Sequence, residues 1–236
     1  MCVAIVMPYY NEKELLLKSI RAIHNQTYTD WHLFLVDDGS AHYNRATMVT
    51  DYLGIEPYKV TTVYKGNGGV SSARNTAIKL IRDCNPYTHV AYCDGDDIWD
   101  SDYLEKQMQF IKDYDFIYSN VRHMFTDGSP AFPFGIAEYS EYPGIDALFK
   151  SNFIFISGVI HKCECLTVGE FDPTVNGIED WDYWLRIAKA GFKFAKNPGA
   201  CFTYTVKPGG GNGAKGTSAT YEAFYKKHGL TNNTNS

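Results

Sequence analysis

The chain has little positive charge to spare. Its 236 residues hold 22 Lys and Arg against 27 Asp and Glu, a net charge of −5. That balance argues against a general nucleic-acid binder, which carries a basic face. Long apolar runs are missing too. The best, "FIFISGVI" at 153–160, falls far short of the ~20 residues that a membrane-spanning helix needs. The six cysteines are scattered and include no C-x-x-C pair, so they suggest neither a zinc site nor a disulfide framework. The opening "MCVAIVMPYY" has no basic lead-in and no small-residue cleavage site. No internal repeat or linker divides the sequence. These absences predict a soluble, cytoplasmic protein, at most peripheral to a membrane, with no transmembrane segment and no nucleic-acid partner.

What is present is alternation. "CVAIVM" (2–7), "HLFLVDD" (32–38), "KVTTVY" (59–64) and "THVAYCD" (88–94) read as buried strands. Helical spacing fills the gaps, after Asn11, over 44–53 and over 70–83. Asn11 and Glu14 form an N-x-x-E helix start close to a capping box. Ser101 is expected to cap a helix over 102–113. Strands and helices in turn imply right-handed βαβ units and a parallel sheet. Such sheets bind ligands outside the carboxyl ends of their strands. "PYYNE", "DDGS" and "DGDD" each follow a strand, so they are predicted to gather on one edge. Beyond residue 120 the pattern loosens. A strand is expected over 153–162, an amphipathic helix over 179–191 closed by Gly191, short strands at "FKFA" and "CFTYTV", and a last helix over 218–229.

The segment "YCDGDDIWD" (92–100) sets Asp94, Asp96, Asp97 and Asp100 close together. Like charges repel, so something positive should sit among them. Asp100 and Asp97 suit turn and cap roles. A D-x-D at a strand end offers hard oxygen ligands to Mg²⁺ or Mn²⁺, with a diphosphate on the far side of the ion.

Four segments in order carry a resemblance. They are "VMPYYNEKELLLKSIRAIHNQTYTDWHLFLVDDGS", "NGGVSSARNTAI", "YCDGDDIW" and "VGEFDPTVNGIEDWDYWLRIAKAG". Together, from about residue 3 to 205, they resemble the family 2 glycosyltransferases, inverting enzymes of the GT-A fold. The resemblance implies an α/β fold with a Rossmann-like, mostly parallel central sheet flanked by helices, and a smaller mixed sheet on the acceptor side. It implies one domain over 1–230. Within it, 1–120 would bind the nucleotide-sugar, 121–205 the acceptor, and 206–230 would form a flexible lid and C-terminal helix. Residues 231–236 are expected to be a disordered tail.

The same resemblance implies roles. Pro8 and Tyr9 would border the base, uracil or another pyrimidine, and Glu12 would help seat the nucleoside. Asp38 would bond the base; Asp37 is equally an Asx-turn residue. Gly69 and Gly95 would admit the donor close to the backbone. Arg74 would lie near the diphosphate, Asp94 on ribose or sugar, and Asp96 on the metal, Mn²⁺ or Mg²⁺. Asp180 would be the general base, with Glu179 and Trp181 at the acceptor, a glycan, lipid-linked or protein hydroxyl. Many relatives place a metal-binding His after the late strand. Here Lys207 stands near that place, and an ammonium cannot ligate. Two alternatives remain at this point, a nucleotidyltransferase making sugar nucleotides and a non-catalytic nucleotide- or carbohydrate-binding module. "PYYNE" after the first strand, in place of a Gly-rich basic run, disfavours the former.

Overall fold

Strand β1 (Cys2–Tyr9) is the centre of a parallel array. It lies between β2 (Trp31–Asp37) and β4 (Tyr87–Tyr92), and β2 in turn pairs with β3 (Val60–Tyr64). Val3, Ile5 and Met7 point to one face and Ala4 and Val6 to the other. Alternate residues of a strand face opposite sides, so one continuous apolar run supplies two cores. Helix α1 (Lys13–His24) lays Leu16, Ile20 and Ile23 on the first face, with α2 (Thr47–Leu53) beside it. Helix α3 (Gly69–Asp83) lays Ala73, Ala77, Ile78 and Ile81 on the second. Residues 2–84, 86–131, 140–207 and 216–230 are described by the structure, a computed structural model.

The sheet continues past β4 in mixed sense. Its eight strands run β3-β2-β1-β4-β7-β6-β8-β5, with β5 (Ile98–Trp99), β6 (Phe116–Phe125), β7 (Val159–Lys162) and β8 (Phe194–Val206). β7 is antiparallel to both β4 and β6, β8 runs parallel to β6, and β5 closes the edge against β8. The mixed half expected as a smaller sheet is therefore the continuation of the parallel one. β6 occupies a stretch where no strand was predicted. β8 joins the two short strands predicted separately, across a register shift that falls between Ser119 and Asn120 of β6. Only the end of the strand expected over 153–162 joins the ladder. Ile156–Gly158 forms a 3₁₀ turn instead.

Two expected caps are absent. Asn11 takes a left-handed backbone, φ 60°. Its side chain accepts from the Ala41 N–H at 2.8 Å while its own N–H donates to Ser40 Oγ at 2.9 Å. It ties the first loop to the second rather than capping α1. Ser101 likewise does not cap α4 (Tyr103–Phe110), whose N-cap is Asp102. The orphan N–H of Leu104 finds Gln26 Oε1 at 2.9 Å, a partner brought by the fold from beyond α1.

Helix α6 (Glu179–Lys189) buries Tyr183, Trp184, Leu185 and Ile187 on the α3 side of the sheet, near the short α5 (Ile145–Leu148). Gly191, φ 86°, ends it as expected. Helix α7 (Ser218–His228) packs on α6. Fully buried Asp182 receives Arg186 at 2.9 Å and Lys227 at 2.8 Å, with His228 Nε2 at 2.9 Å. The Phe224 ring lies 4.4 Å from that of Trp181. The expected lid falls mostly on 208–215, and the expected tail on 231–236. Both lie outside the described residues.

Candidate active site

The polar segments after β1, β2 and β4 meet at one edge, where the parallel topology sends strand ends. They enclose a cavity of about 510 Å³ with Pro8, Tyr9, Glu12, Asp38 and Gly69 on one side and Asp94, Gly95, Asp96 and Lys207 on the other. Gly95 permits the approach of β4 to β1: a Cβ there would stand 3.2 Å from the Pro8 carbonyl oxygen and 3.4 Å from Leu16 Cδ1. Gly69 opens α3 at φ 83°, a conformation that suits glycine alone.

Several of these side chains have other work than expected. The Tyr9 ring is buried and its hydroxyl donates to the Asn44 carbonyl at 2.6 Å. The open ring in the cavity is Tyr10, about half exposed. Asp38 accepts from the Gly68 and Gly69 N–H groups at 3.0 and 2.8 Å and pairs with Lys65 at 2.6 Å. It anchors the Gly-rich loop, leaving little of its carboxylate for a base. Asp37 is the Asx-turn residue, accepting from the Ser40 and Ala46 N–H groups.

Among the described residues the acidic cluster has three positive partners: Arg122 on Asp100 at 3.1 Å, Arg74 on Asp94 and Lys207 on Asp96. Arg74, expected near a diphosphate, is 2 % exposed, and its two terminal nitrogens are taken by protein carboxylates. It grips Asp94 with one nitrogen at 2.8 and 3.1 Å and Glu179 with the other at 2.8 Å. Burial works against its charge, but the two carboxylates outweigh that and raise its pKa. Burial raises the Asp94 pKa, and Arg74 partly offsets this. Lys207 reaches Glu12 at 2.7 Å and Asp96 at 2.9 Å. Asp97 is buried, accepts from the Thr205 N–H at 3.0 Å, and is pushed well up by burial and by its acidic neighbours. It fixes the loop to β8.

A second cavity of about 330 Å³ opens on the other side of Asp94. Asp180 lines it at the first turn of α6, with Arg74 and Glu179 behind and Asn152, Phe155, Asn176 and Tyr204 around. Asp180 accepts from the Trp181 N–H at 2.7 Å and from Asn152 Nδ2 at 3.1 Å. Burial, then the charge of Glu179, pushes its pKa up to about 7, against the pull of Arg74 and those two hydrogen bonds. A carboxyl group poised there can take a proton at neutral pH. Its rival Asp182 faces the other way, into the α7 contact.

Trp181 is a correction. Expected to meet an acceptor, it is 5 % exposed, and its indole N–H donates to the Leu148 carbonyl at 2.6 Å. Trp184 is wholly buried. The open aromatic rings by Asp180 belong to Phe155 and Tyr204 instead. Glu179, also expected at the acceptor, lines the cavity but is occupied by Arg74 and by the Gly177 N–H at 2.7 Å. Sequence reading missed Ser157 too. Its hydroxyl accepts from the Asp94 N–H at 3.0 Å, and its carbonyl accepts from Trp99 Nε1 at 2.7 Å. An isolated serine in an apolar run was the only signal.

The model of glycosyl transferase family 2 matches residues 4–159. The chain belongs to this family. It is 29 % identical to the amylovoran biosynthesis glycosyltransferase AmsB of Erwinia amylovora, over 94 % of this chain and 75 % of that one. The fold is GT-A. Staphylococcus aureus TarS, solved with UDP-GlcNAc, superposes at a TM-score of 0.71 and 15 % identity, over 89 % of this chain and 60 % of that one. The mannosyltransferase PcManGT of Pyrobaculum calidifontis, solved with GDP-Man and Mn²⁺, gives 0.66 at 20 % identity, over 89 % and 58 %. At such identities these two likenesses speak for fold alone, and the chain spans under two thirds of either structure. The family match ends before α6, so Asp180 lies outside it.

Proposed function

We propose that this family 2 member transfers a sugar from a nucleoside-diphosphate sugar, with UDP the expected carrier, to a hydroxyl of a glycan acceptor. The reaction is a single displacement that inverts the anomeric carbon. The observation that carries this reading is the pair of cavities meeting at Asp94, with Asp96 in one and Asp180 in the other. The donor lies in the first, its base toward Tyr10 and Pro8 and its diphosphate toward Asp96 and Lys207. The acceptor hydroxyl lies in the second, against Asp180. The Asp180 carboxylate takes the hydroxyl proton as the oxygen attacks, while Asn152 and the Trp181 N–H hold the carboxylate in place. The likeness to the biosynthetic glycosyltransferase AmsB supports the reaction class.

A divalent cation, Mn²⁺ or Mg²⁺, suits the donor edge. Among the described residues no three His, Cys, Asp or Glu side chains stand together as a complete metal cage. Such ions need none, since they keep waters and take phosphate oxygens beside one or two carboxylates. Charge favours the fit. Among the described residues four carboxylates, Glu12, Asp94, Asp96 and Glu179, share only Arg74 and Lys207, and a diphosphate adds more negative charge. Asp96 is the residue that would hold the ion. When bound, it neutralises the departing diphosphate.

The test supplies UDP- and GDP-sugars with Mn²⁺ and a glycan panel, and measures release of nucleoside diphosphate. Asp180→Asn should bind UDP like the parent chain and lose transfer by about 10²–10⁴-fold. Full transfer by that variant removes Asp180 as the base. Release of pyrophosphate from a nucleoside triphosphate plus a sugar phosphate would replace the reading with nucleotidyl transfer.

A further inference from the structure

We propose that Lys207 is an internal counter-ion that keeps divalent cations off Asp96 until they arrive on a nucleoside diphosphate. The inference rests on the donor-site reading above and adds an order of binding to it.

The geometry is a three-body contact. The Lys207 ammonium lies 2.7 Å from the Glu12 carboxylate and 2.9 Å from Asp96 Oδ2. Glu12 comes from the loop after β1, Asp96 from the loop after β4, and Lys207 from the end of β8. The ammonium thus joins three separate strand ends at the wall of the donor cavity. Asp94, the other carboxylate on this edge, is held in a two-oxygen grip by Arg74. Asp94 is therefore committed before any ion comes, and Asp96 is the oxygen donor that a metal would use. Its Oδ2 already carries a positive partner.

A free cation approaching Asp96 meets that ammonium at hydrogen-bond range. Two positive charges on one oxygen repel, and displacing Lys207 would strand Glu12 without its cation. A cation bound to a diphosphate changes the balance. The phosphate oxygens bring negative charge to which the ammonium can transfer, while the ion takes Asp96. Lysine suits such an exchange, being a compact charge on a flexible stem. Its side chain is 41 % exposed, as is that of Glu12, so it can swing without unpacking a core.

The experiment uses Mn²⁺ itself as the probe. Electron paramagnetic resonance distinguishes free from bound Mn²⁺ without any turnover. The full chain alone should leave the free signal unchanged, and added UDP should quench it. Lys207→Gln should bind Mn²⁺ without UDP at least about tenfold more tightly than the parent, the worth of two half-exposed ion pairs. Lys207→Arg keeps the charge and should behave like the parent. Asp96→Ala added to Lys207→Gln should abolish the new binding, which ties it to that carboxylate. Tight Mn²⁺ binding by the parent chain without UDP overturns the proposal. So does a Lys207→Gln variant no better than the parent, provided that its unfolding temperature is unchanged. Lys207→Met, which also removes the charge, is the second variant if Lys207→Gln does not fold, and should also bind free Mn²⁺ more tightly than Lys207→Arg. If UDP fails to bind even with Mn²⁺ present, the donor-site reading fails instead, a separate result.

Discussion

Replacing Arg74 with methionine asks most of the site at once. The guanidinium is 2 % exposed and, among the described residues, is the one cation between Asp94 and Glu179. Met keeps most of its length and apolar stem but none of its charge. Breaking a buried pair by removing one partner leaves an uncompensated charge and costs about 3–5 kcal/mol. Here two carboxylates lose the same partner, which puts the expected loss at the upper end of that range. In a domain of this size each kcal/mol lowers the unfolding temperature by roughly 2–4 °C, so the fall should be roughly 10–20 °C. Thermal and urea unfolding at pH 7 read it directly. The sign of the pH dependence is a second check. Protonation relieves the orphaned carboxyl groups, so the deficit should shrink as the pH falls toward about 5. Adding Asp94→Asn and Glu179→Gln should recover part of the loss, since neutral groups need no counter-ion. A loss below about 1 kcal/mol, or one that grows in acid, would refute the idea that Arg74 is the electrostatic keystone of the cleft.

Other outcomes follow from the same geometry. With the Asp180 carboxyl held near 7, kcat/KM should rise with pH through about 7, because only the ionised form accepts a proton; Asn152→Ala removes a bond that favours that form and should move the rising limb to higher pH. The buried Asp182 carboxyl is lowered to about 2, since the bonds from His228 and Lys227 and the charge of Arg186 outweigh the effect of burial. Its contribution is complete above the ordinary carboxylate range and is lost as pH falls through about 2. Asp182→Asn should therefore cost roughly 2 kcal/mol in urea unfolding at pH 7 and almost nothing near pH 2.

The parallel half was legible because its signals are local. β1, β2 and β4 are compact runs of apolar and β-branched residues, each stopped by a polar turn, and the topology of such units leaves few choices. The mixed half hides its strands. "FIYSNVRHMF" carries Ser119 and Asn120, then Arg122 and His123 after a single Val121, a pattern that matches neither strand alternation nor a buried run. It becomes a strand because β7 and β8 flank it. The site was legible in part. The residues after strand ends meet because strand polarity dictates it. Their partners do not follow from spacing. The hold of Arg74 on Glu179 and of Asp38 on Gly69 depends on three-dimensional packing, and so does the burial of Trp181. A helix pattern gives no hint that α7 will cover that indole.

Ser157 has a consequence for how such a cleft can diversify. Its neighbours Ile154, Phe155 and Ile156 wall the cavity proposed for the acceptor, and its hydroxyl holds the backbone of Asp94, which also lines the cavity proposed for the donor. On the proposed reading, choice of donor and choice of acceptor are mechanically linked through this side chain. A chimaera that swaps everything after β6 for the equivalent piece of a relative inherits a foreign peg under its own carboxylates. Exchange of specificity by grafting has to leave that serine and its turn untouched, and vary what surrounds it.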